Sequence, residues 1–340
     1  MVMNSVQINQ KLNRNQQGLT LVEVMVAMTI GLVLLGGVVT VMSSSQSTYR
    51  VNEAMARMQE NARYAFQLLS RDIRMAGYRG CRGDIVTITN VLNGKANYLW
   101  NFEQPLDGFE ATGSSWTPDL PSEVTSPLKG RDVIVVRGVE GGEDNYAKVI
   151  SHVYSSASAV LVVEAGSDIA KDDMFLVSNC DGSGIFKAID VSNVSGQKII
   201  EHTDDAKNLR GTFTGGEVAR ISTRFYYIRT NLNGKGIPAL YWKRGSEKAE
   251  ELVEGIENLQ IKYGVDTDGD KTVDTYQTAN QVTDWENVVS VRIDLLVQSV
   301  DDKVTSQPQT YTFNGEDVTP TDRRLRQTFS TVIALRNRAL

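Results

Sequence analysis

The sequence GLTLVEVMVAMTIGLVLLGGVVTVM occupies residues 18–42 and decides the architecture of the chain. Between Leu19 and Met42, the only ionisable side chain is the carboxyl group of Glu23. A helix needs about 20 predominantly apolar residues to cross a bilayer, so this run predicts a membrane-spanning helix. A carboxylate near hydrocarbon is costly, and Glu23 is therefore the first candidate for a functional residue.

The segment before this run, residues 1–18, is polar and carries Lys11 and Arg14 but no acidic residue. A secretory signal has its cleavage site after the apolar region. Here the break between polar and apolar sequence falls before that region, at Gly18. Because Lys11 and Arg14 precede the span and residues 43–49 are uncharged, the positive-inside rule predicts a cytoplasmic N-terminus and an exported remainder.

The leader and the apolar run together resemble the N-terminus of type IV prepilins. The resemblance implies that a prepilin peptidase cleaves after Gly18 and that the new N-terminal residue, Leu19, is methylated, although phenylalanine is commoner at that position. It also implies that the Glu23 carboxylate compensates the terminal amine of a neighbouring subunit during assembly. Pairing two buried charges offsets part of their desolvation cost. An uncleaved signal anchor with a stray glutamate is the alternative.

The charge balance argues against nucleic acid as a direct partner. The formal net charge of the chain is −6, and loss of the two cations of the leader makes the mature chain −8. A nucleic-acid-binding protein carries a basic patch or stripe. We therefore expect partners of another kind.

The chain has two cysteines, Cys81 and Cys180. Both lie beyond the predicted span, in the part expected to reach an oxidising compartment. An even pair in such a domain most often forms a disulfide. Two free buried thiols are the alternative, and no C-x-x-C metal or redox motif occurs.

Helical periodicity continues after the apolar run, over residues 43–80. Apolar residues recur there at spacings of three and four: Val51, Met55, Met58, Ala62, Ala65, Leu69, Ile73 and Ala76. This spacing predicts one apolar face of a helix, which Gly77 and Gly80 end. The chain is thus predicted to have a membrane or filament-core half-helix at 19–42 and an amphipathic half-helix at 43–80.

From Cys81 onward the period changes to that of strands, which predicts a β-rich domain over residues 81–340. Turn pairs separate the strands, and Asn233-Gly234 is a strong hairpin signal. Residues 92–130 are predicted to form an irregular surface connection. The fold class is α+β, with a long pilin-like helix packed on an antiparallel β-sheet domain. Strands are predicted at 132–136, 148–153, 159–163, 174–178, 218–230, 237–242, 259–264, 288–300, 309–313 and 327–335.

Several segments narrow the resemblance to one family. They read RDIRMAGY at 71–78, YGVDTDGD at 263–270, WENVVSVR at 285–292 and FSTVIALRNR at 329–338. Together they resemble PilW, a large minor pilin of type IV pili. The resemblance implies a structural protein, not an enzyme, that primes pilus assembly and forms part of the tip complex.

The resemblance also implies partners and a location. The partners are other minor pilins, the major pilin, a tip-associated adhesin, the prepilin peptidase and the inner-membrane assembly platform. The chain is expected in the inner membrane before assembly, as a single-pass protein with its bulk in the periplasm. After assembly it is expected in the pilus at the cell surface.

Two other functions stay open. A J-type minor pseudopilin of a type II secretion system is the nearest rival, although such chains are usually much shorter than 340 residues. The β domain as a tip adhesin or ligand-binding module is the second, with the aromatic residues of 92–130 as candidates. An enzyme has little support, because His152 and His202 are the only histidines and no G-x-S-x-G, H-E-x-x-H or P-loop motif occurs.

An acidic segment matches the ligand spacing of an EF-hand-type Ca²⁺ loop. The matching residues are Asp266, Asp268, Asp270, Thr272 (through its carbonyl) and Asp274. Lys271 replaces the usual glycine at the sixth position, and Gln277 replaces the usual glutamate at the twelfth. The segment predicts either a weak Ca²⁺ site, with an affinity of about 10⁻⁴–10⁻³ M, or a plain acidic hairpin loop.

Overall fold

The structure is a computed structural model that describes residues 18–80, 88–92, 97–141, 145–153, 159–164, 168–202, 209, 212–231 and 236–338. This part of the chain contains one long helix, α1 (Leu21–Arg74), and two short 3-10 helices, Tyr98–Trp100 and Trp285–Asn287. The strands are β1 Ile88–Asn90, β2 Leu106–Thr112, β3 Ser115–Thr117, β4 Val133–Val139, β5 Tyr146–Val153, β6 Ala159–Glu164, β7 Met174–Ser178, β8 Ser183–Lys187, β9 Asp190–Val194, β10 Gln197–His202, β11 Glu217–Thr230, β12 Pro238–Arg244, β13 Glu250–Glu254, β14 Ile256–Val265, β15 Thr275–Gln277, β16 Val288–Gln298, β17 Tyr311–Phe313, β18 Glu316–Val318 and β19 Arg326–Ala334. The predicted α+β class is confirmed.

The chain divides into two compact units, Met1–Asn52 and Glu53–Leu340, and the boundary falls within α1. The described part of the first unit is helical from Leu21 onward. The second unit contains the remainder of α1 and every described strand. The predicted segment boundaries after residues 18, 42 and 80 concern processing and the membrane, and they stay predictions.

In the second unit, α1 packs an apolar face on the β domain. Residues at the predicted spacing are buried: Met58, Ala62, Ala65, Leu69 and Ile73. Burial of apolar surface stabilises such a contact by roughly 25 cal/mol per Å². The end of α1 approaches β4 so closely that a Cβ on Gly138 would lie 2.8 Å from the carbonyl oxygen of Met75. Glycine is therefore required at this crossing.

The long strand β11 lies at the centre of the largest of the three described sheets. It pairs antiparallel with β4, β5, β7 and β12. The main path of the sheet is β1-β8-β7-β11-β5-β6-β10-β9, and β2, β3, β4, β12 and β13 branch from it. A second sheet has the order β15-β14-β16-β19, and β17 and β18 form a two-stranded ribbon.

Each predicted strand has a counterpart in the structure, and Met174–Ser178 matches at both ends. The pair Asp181-Gly182 lies in the turn that connects β7 to β8. The pair Asn233-Gly234 lies outside the described residues. Its flanking strands β11 and β12 pair antiparallel, with Thr230 opposite Pro238, as the hairpin signal predicts.

The prediction of a surface connection over residues 92–130 is wrong in part. This segment contains the 3-10 helix Tyr98–Trp100 and strands β2 and β3. Several of its side chains are buried: Phe102, Leu106, Phe109 and Val124. The alternation of β2 is interrupted by Gly108, where a Cβ would lie 2.2 Å from Oη of Tyr263. Gly108 leaves room for the side chain of Tyr263. The same glycine breaks the alternating apolar pattern by which β2 could have been predicted.

Candidate functional site

Thr20 and Glu23 form a capping box at the start of α1. The backbone N–H of Glu23 donates to Oγ1 of Thr20 at 3.3 Å. In return, Oε2 of Glu23 accepts from the backbone N–H of Thr20 at 3.0 Å and from its hydroxyl at 2.9 Å. This arrangement satisfies donors that have no partner within the helix. The Thr-x-x-Glu spacing was the signal that could have predicted the cap.

The predicted cleavage site, Gly18 and Leu19, lies directly before this cap. Residues 18–20 are not helical, and Leu19 is 78% exposed. A peptidase needs an accessible, non-helical segment, and this position provides one. Residues 1–17 of the leader lie outside the described residues, and cleavage after Gly18 and methylation at Leu19 stay predictions.

The apolar side chains of the first unit are exposed along the helix. Leu32, Val33 and Val41, for example, are each about 70% exposed. Within the described residues, α1 is the one helix whose length and composition would allow it to cross a membrane. An exposed apolar surface of this size indicates a site for lipid or for other helices.

The glycines of the apolar run face open space. An ideal Cβ on Gly31, Gly36 or Gly37 would meet no heavy atom within 4 Å. Packing within the chain therefore does not explain these glycines. Small residues allow two helices to approach closely in a bilayer.

A buried ion pair fixes the end of α1 to β11. Oδ2 of Asp72 lies 2.9 Å from a guanidinium nitrogen of Arg224, and both residues are only 1% exposed. The hydroxyl of Tyr226 donates to the same carboxylate oxygen. Burial, and then the charge of Asp72, raise the pKa of Tyr226, so this hydroxyl keeps its proton. Sequence reasoning missed Asp72, although it lies on the apolar stripe three residues after Leu69.

The acidic segment forms the loop between β14 and β15. Carboxylate oxygens of Asp266, Asp268 and Asp274 lie within 4.8 Å of one another. Asp270 is not part of this group, and its Oδ1 accepts from the backbone N–H of Thr272 at 2.7 Å.

Backbone amides organise the acidic loop around Asp266. Its Oδ1 accepts from the N–H of Gly269 at 2.7 Å, and its Oδ2 accepts from that of Lys271 at 2.9 Å. Burial alone would raise the pKa of Asp266, but these hydrogen bonds lower it overall. Lys271 has a φ of 66°, the left-handed conformation for which glycine is usual. Calcium binding by this loop stays a prediction.

The cysteine prediction is answered for one residue. Cys180, between β7 and β8, is disulfide-bonded. Cys81, its predicted partner, lies outside the described residues. The pairing of Cys81 with Cys180 stays a prediction.

Two family models match the chain at its two ends. The model of the prokaryotic N-terminal methylation motif matches residues 13–39, and that of type IV pilus-assembly protein W matches residues 225–337. Residues 225–337 are therefore similar to the PilW family of type IV pilus assembly proteins, and the N-terminus carries the prepilin methylation motif. No curated protein and no solved structure matches it.

The region that matches the PilW model can be located in the structure. It begins in β11 and continues to residue 337, just after β19. It therefore includes the four-stranded sheet and the acidic loop. The methylation motif includes Gly18, Leu19 and Glu23 and most of the apolar run. PilW proteins act in pilus assembly, and the partners of this chain accordingly belong to the pilus machinery.

The two histidines of the chain lie in an aromatic cluster. The rings of His152 and His202 are 5.7 Å apart, and Phe186 and Phe213 pack against them. Burial, and then the neighbouring His152, lower the pKa of His202 to about 4. His202 is therefore a neutral side chain packed against an aromatic ring.

Proposed function

We propose that the chain is a minor pilin that primes assembly of a type IV pilus and joins its tip complex. The observation that carries this proposal is the combination of a prepilin N-terminus, an exposed apolar helix and a PilW domain. The helix provides a surface for a bundle of similar helices. A large β domain at a filament tip does not have to be covered by later subunits, which suits its bulk.

Before assembly, the apolar half of α1 holds the chain in the inner membrane, with the leader in the cytoplasm and the β domain in the periplasm. The prepilin peptidase removes the leader after Gly18, and Leu19 becomes the methylated N-terminus. The N–H of Thr20 belongs to the peptide bond between Leu19 and Thr20. Cleavage after Gly18 therefore leaves the capping box of Thr20 and Glu23 intact.

Glu23 then has two tasks, one for each carboxylate oxygen. Oε2 accepts the capping hydrogen bonds from Thr20, whereas Oε1 accepts none from the described residues. Oε1 is thus available to the terminal ammonium of a neighbouring subunit. The cost of an unpaired carboxylate in a bilayer, about 2.5–3.5 kcal/mol at its centre, favours this pairing during extraction into the filament.

The partners that follow from this role are other minor pilins, the major pilin and a tip-associated adhesin. Gly31, Gly36 and Gly37 support close helix contacts with the first two. The adhesin is expected to contact the β domain, which forms the outer end of such a complex.

The proposal is tested by complementing a deletion strain with Glu23→Gln. We expect normal cleavage, measured as the mature mass, but loss of pili, since the variant retains an amide oxygen for the cap and loses the charge. Glu53→Gln is the matched control, because Glu53 is an exposed acid of the same helix. Normal piliation with Glu23→Gln would contradict the proposal. Loss of protein secretion with intact pili, on deletion, would support a type II pseudopilin instead.

A further inference from the structure

β19 is the outermost strand of the four-stranded sheet. Its nine residues pair with β16 in an unbroken antiparallel register, from Arg326 opposite Gln298 to Ala334 opposite Ser290. Beyond β19 the sheet has no further strand in the described part of the chain. The strand thus presents its second side as an edge.

The register shows which backbone groups face this edge. The N–H of Leu335 donates to the carbonyl oxygen of Val289 at 2.9 Å, so odd-numbered residues bond to β16. The backbone groups of Ser330, Val332 and Ala334 point away from it. Among the described residues, these backbone groups have no hydrogen-bond partner. We call residues 330–334 the open edge.

The first part of β19 is covered differently. The hydroxyl of Thr328 donates to the carbonyl oxygen of Thr312 in β17 at 3.2 Å. The two-stranded ribbon of β17 and β18 therefore lies beside the start of β19. The open edge begins where this cover stops.

The other edge strands of the described sheets are short or protected. β1, β3 and β15 have three residues each, and β9 has five, beginning with Asp190. β13 also has five residues, carries Glu250, Glu251 and Glu254, and pairs with β12 through a register shift. Charges, short length and bulges are the devices that prevent strands from pairing with other chains.

β19 has none of these devices in its second half. From Gln327 to Leu335 the sequence is QTFSTVIAL, which contains no charge, proline or glycine. Val332 on this strand is 54% exposed. A long, uncharged edge without a bulge pairs readily with another strand. The other edge strands of the described sheets are protected, whereas this one is not. The difference indicates that a partner covers the open edge.

We propose that the open edge of β19 binds an extended strand of a neighbouring pilus subunit by β-augmentation. The partner strand is uncharged along residues 330–334 and carries a carboxylate near Arg336. Arg336 is exposed and has no ion-pair partner among the described residues. The identity of the partner as a pilus subunit rests on the proposed minor-pilin function.

A photo-crosslinking amino acid at Ser330 of the full chain, in piliated cells, tests the proposal. We expect an adduct with another pilus subunit, identified by mass spectrometry. The same probe at Val194 of β9, which is 49% exposed, is the matched control and is expected to give no such adduct. An adduct between two copies of this chain, with a protein outside the pilus, or equally at both positions would overturn the proposal.

Three substitutions separate docking from folding. Val332→Lys adds a protecting charge to the edge without removing a bond to β16, and Val194→Lys adds the same charge to β9. We expect Val332→Lys to retain the thermal midpoint of unfolding but to lose the Ser330 adduct and the pili. We expect Val194→Lys to retain the thermal midpoint, the adduct and the pili. Val332→Pro, which removes an outward N–H only, is expected to act like Val332→Lys.

The outcomes distinguish this proposal from the function on which it rests. If deletion of the chain abolishes pili but Val332→Lys leaves the adduct and the pili unchanged, the open-edge proposal fails alone. If deletion of the chain leaves pili unaffected, the proposed minor-pilin function fails, and the open-edge proposal fails together with it.

Discussion

Asp72→Asn tests whether a buried ion pair holds α1 to the β domain. Asp72 and Arg224 are each 1% exposed, and their charged atoms lie 2.9 Å apart. The variant retains an oxygen for the hydroxyl of Tyr226 but leaves the Arg224 guanidinium buried without a counter-charge. The guanidinium of Arg224 also donates to the carbonyl oxygen of Val139 at 3.2 Å, and the variant keeps this hydrogen bond. Removing one partner of a buried pair costs about 3–5 kcal/mol.

Urea unfolding of the full chain in detergent, followed by tryptophan fluorescence, measures this loss as a lower midpoint at unchanged slope. Arg57→Gln is the control, because it breaks an exposed pair with Glu53 whose side chains are 64% and 45% exposed. An exposed helix pair contributes about 0.3–0.5 kcal/mol. A loss for Asp72→Asn no larger than that of the control would refute the reasoning.

The double variant Asp72→Asn/Arg224→Met sharpens the test. Removing both charges eliminates the unpaired guanidinium, and replacing a buried pair with apolar groups is often neutral or stabilising. We therefore expect the double variant to be more stable than Asp72→Asn alone. Additive losses from the two substitutions would contradict this explanation.

Three further predictions concern the β domain. Burial, and then the charge of Glu110, raise the pKa of Asp132 to about 7, above its unfolded value of about 3.9. The free energy of unfolding should therefore fall as the pH rises from about 4 to 7, and Asp132→Asn should flatten this slope; an unchanged slope would contradict it. Calorimetry with millimolar Ca²⁺ should show binding that Asp266→Ala abolishes, whereas no binding by the native chain would favour a plain acidic loop. Thiol titration of the denatured, unreduced chain should find no reactive thiol, and two would exclude the predicted disulfide of Cys81 and Cys180.

Periodicity predicted the parts of this fold that have one uninterrupted face. The apolar stripe of α1 could be found in this way, since it repeats a single spacing. The strand Met174–Ser178 could be found as a short, mostly apolar run, and it is buried along nearly its whole length. Strand β9 could not, because its side chains are mostly exposed on both faces. Strand β2 was missed because Gly108 interrupts its alternating pattern. The missing side chain at Gly108 leaves room for Tyr263 from a strand distant in sequence.

The N-terminal motif could be recognised because its residues are close together in the sequence. Gly18, Leu19 and Glu23 lie within six residues, and a family model matches the segment that contains them. The pair of Asp72 and Arg224 depends on a contact between residues far apart in the chain. A pattern of neighbouring residues cannot predict such a contact. The only indication of the ion pair in the sequence was an acidic residue on the apolar stripe of α1.

The most direct test of the account is the mass of the mature N-terminus. The full chain would be expressed in strains with and without a prepilin peptidase and analysed by mass spectrometry. The account predicts a chain that begins at methylated Leu19 in the first strain and at Met1 in the second. A chain that retains Met1 in the presence of the peptidase would contradict the minor-pilin function.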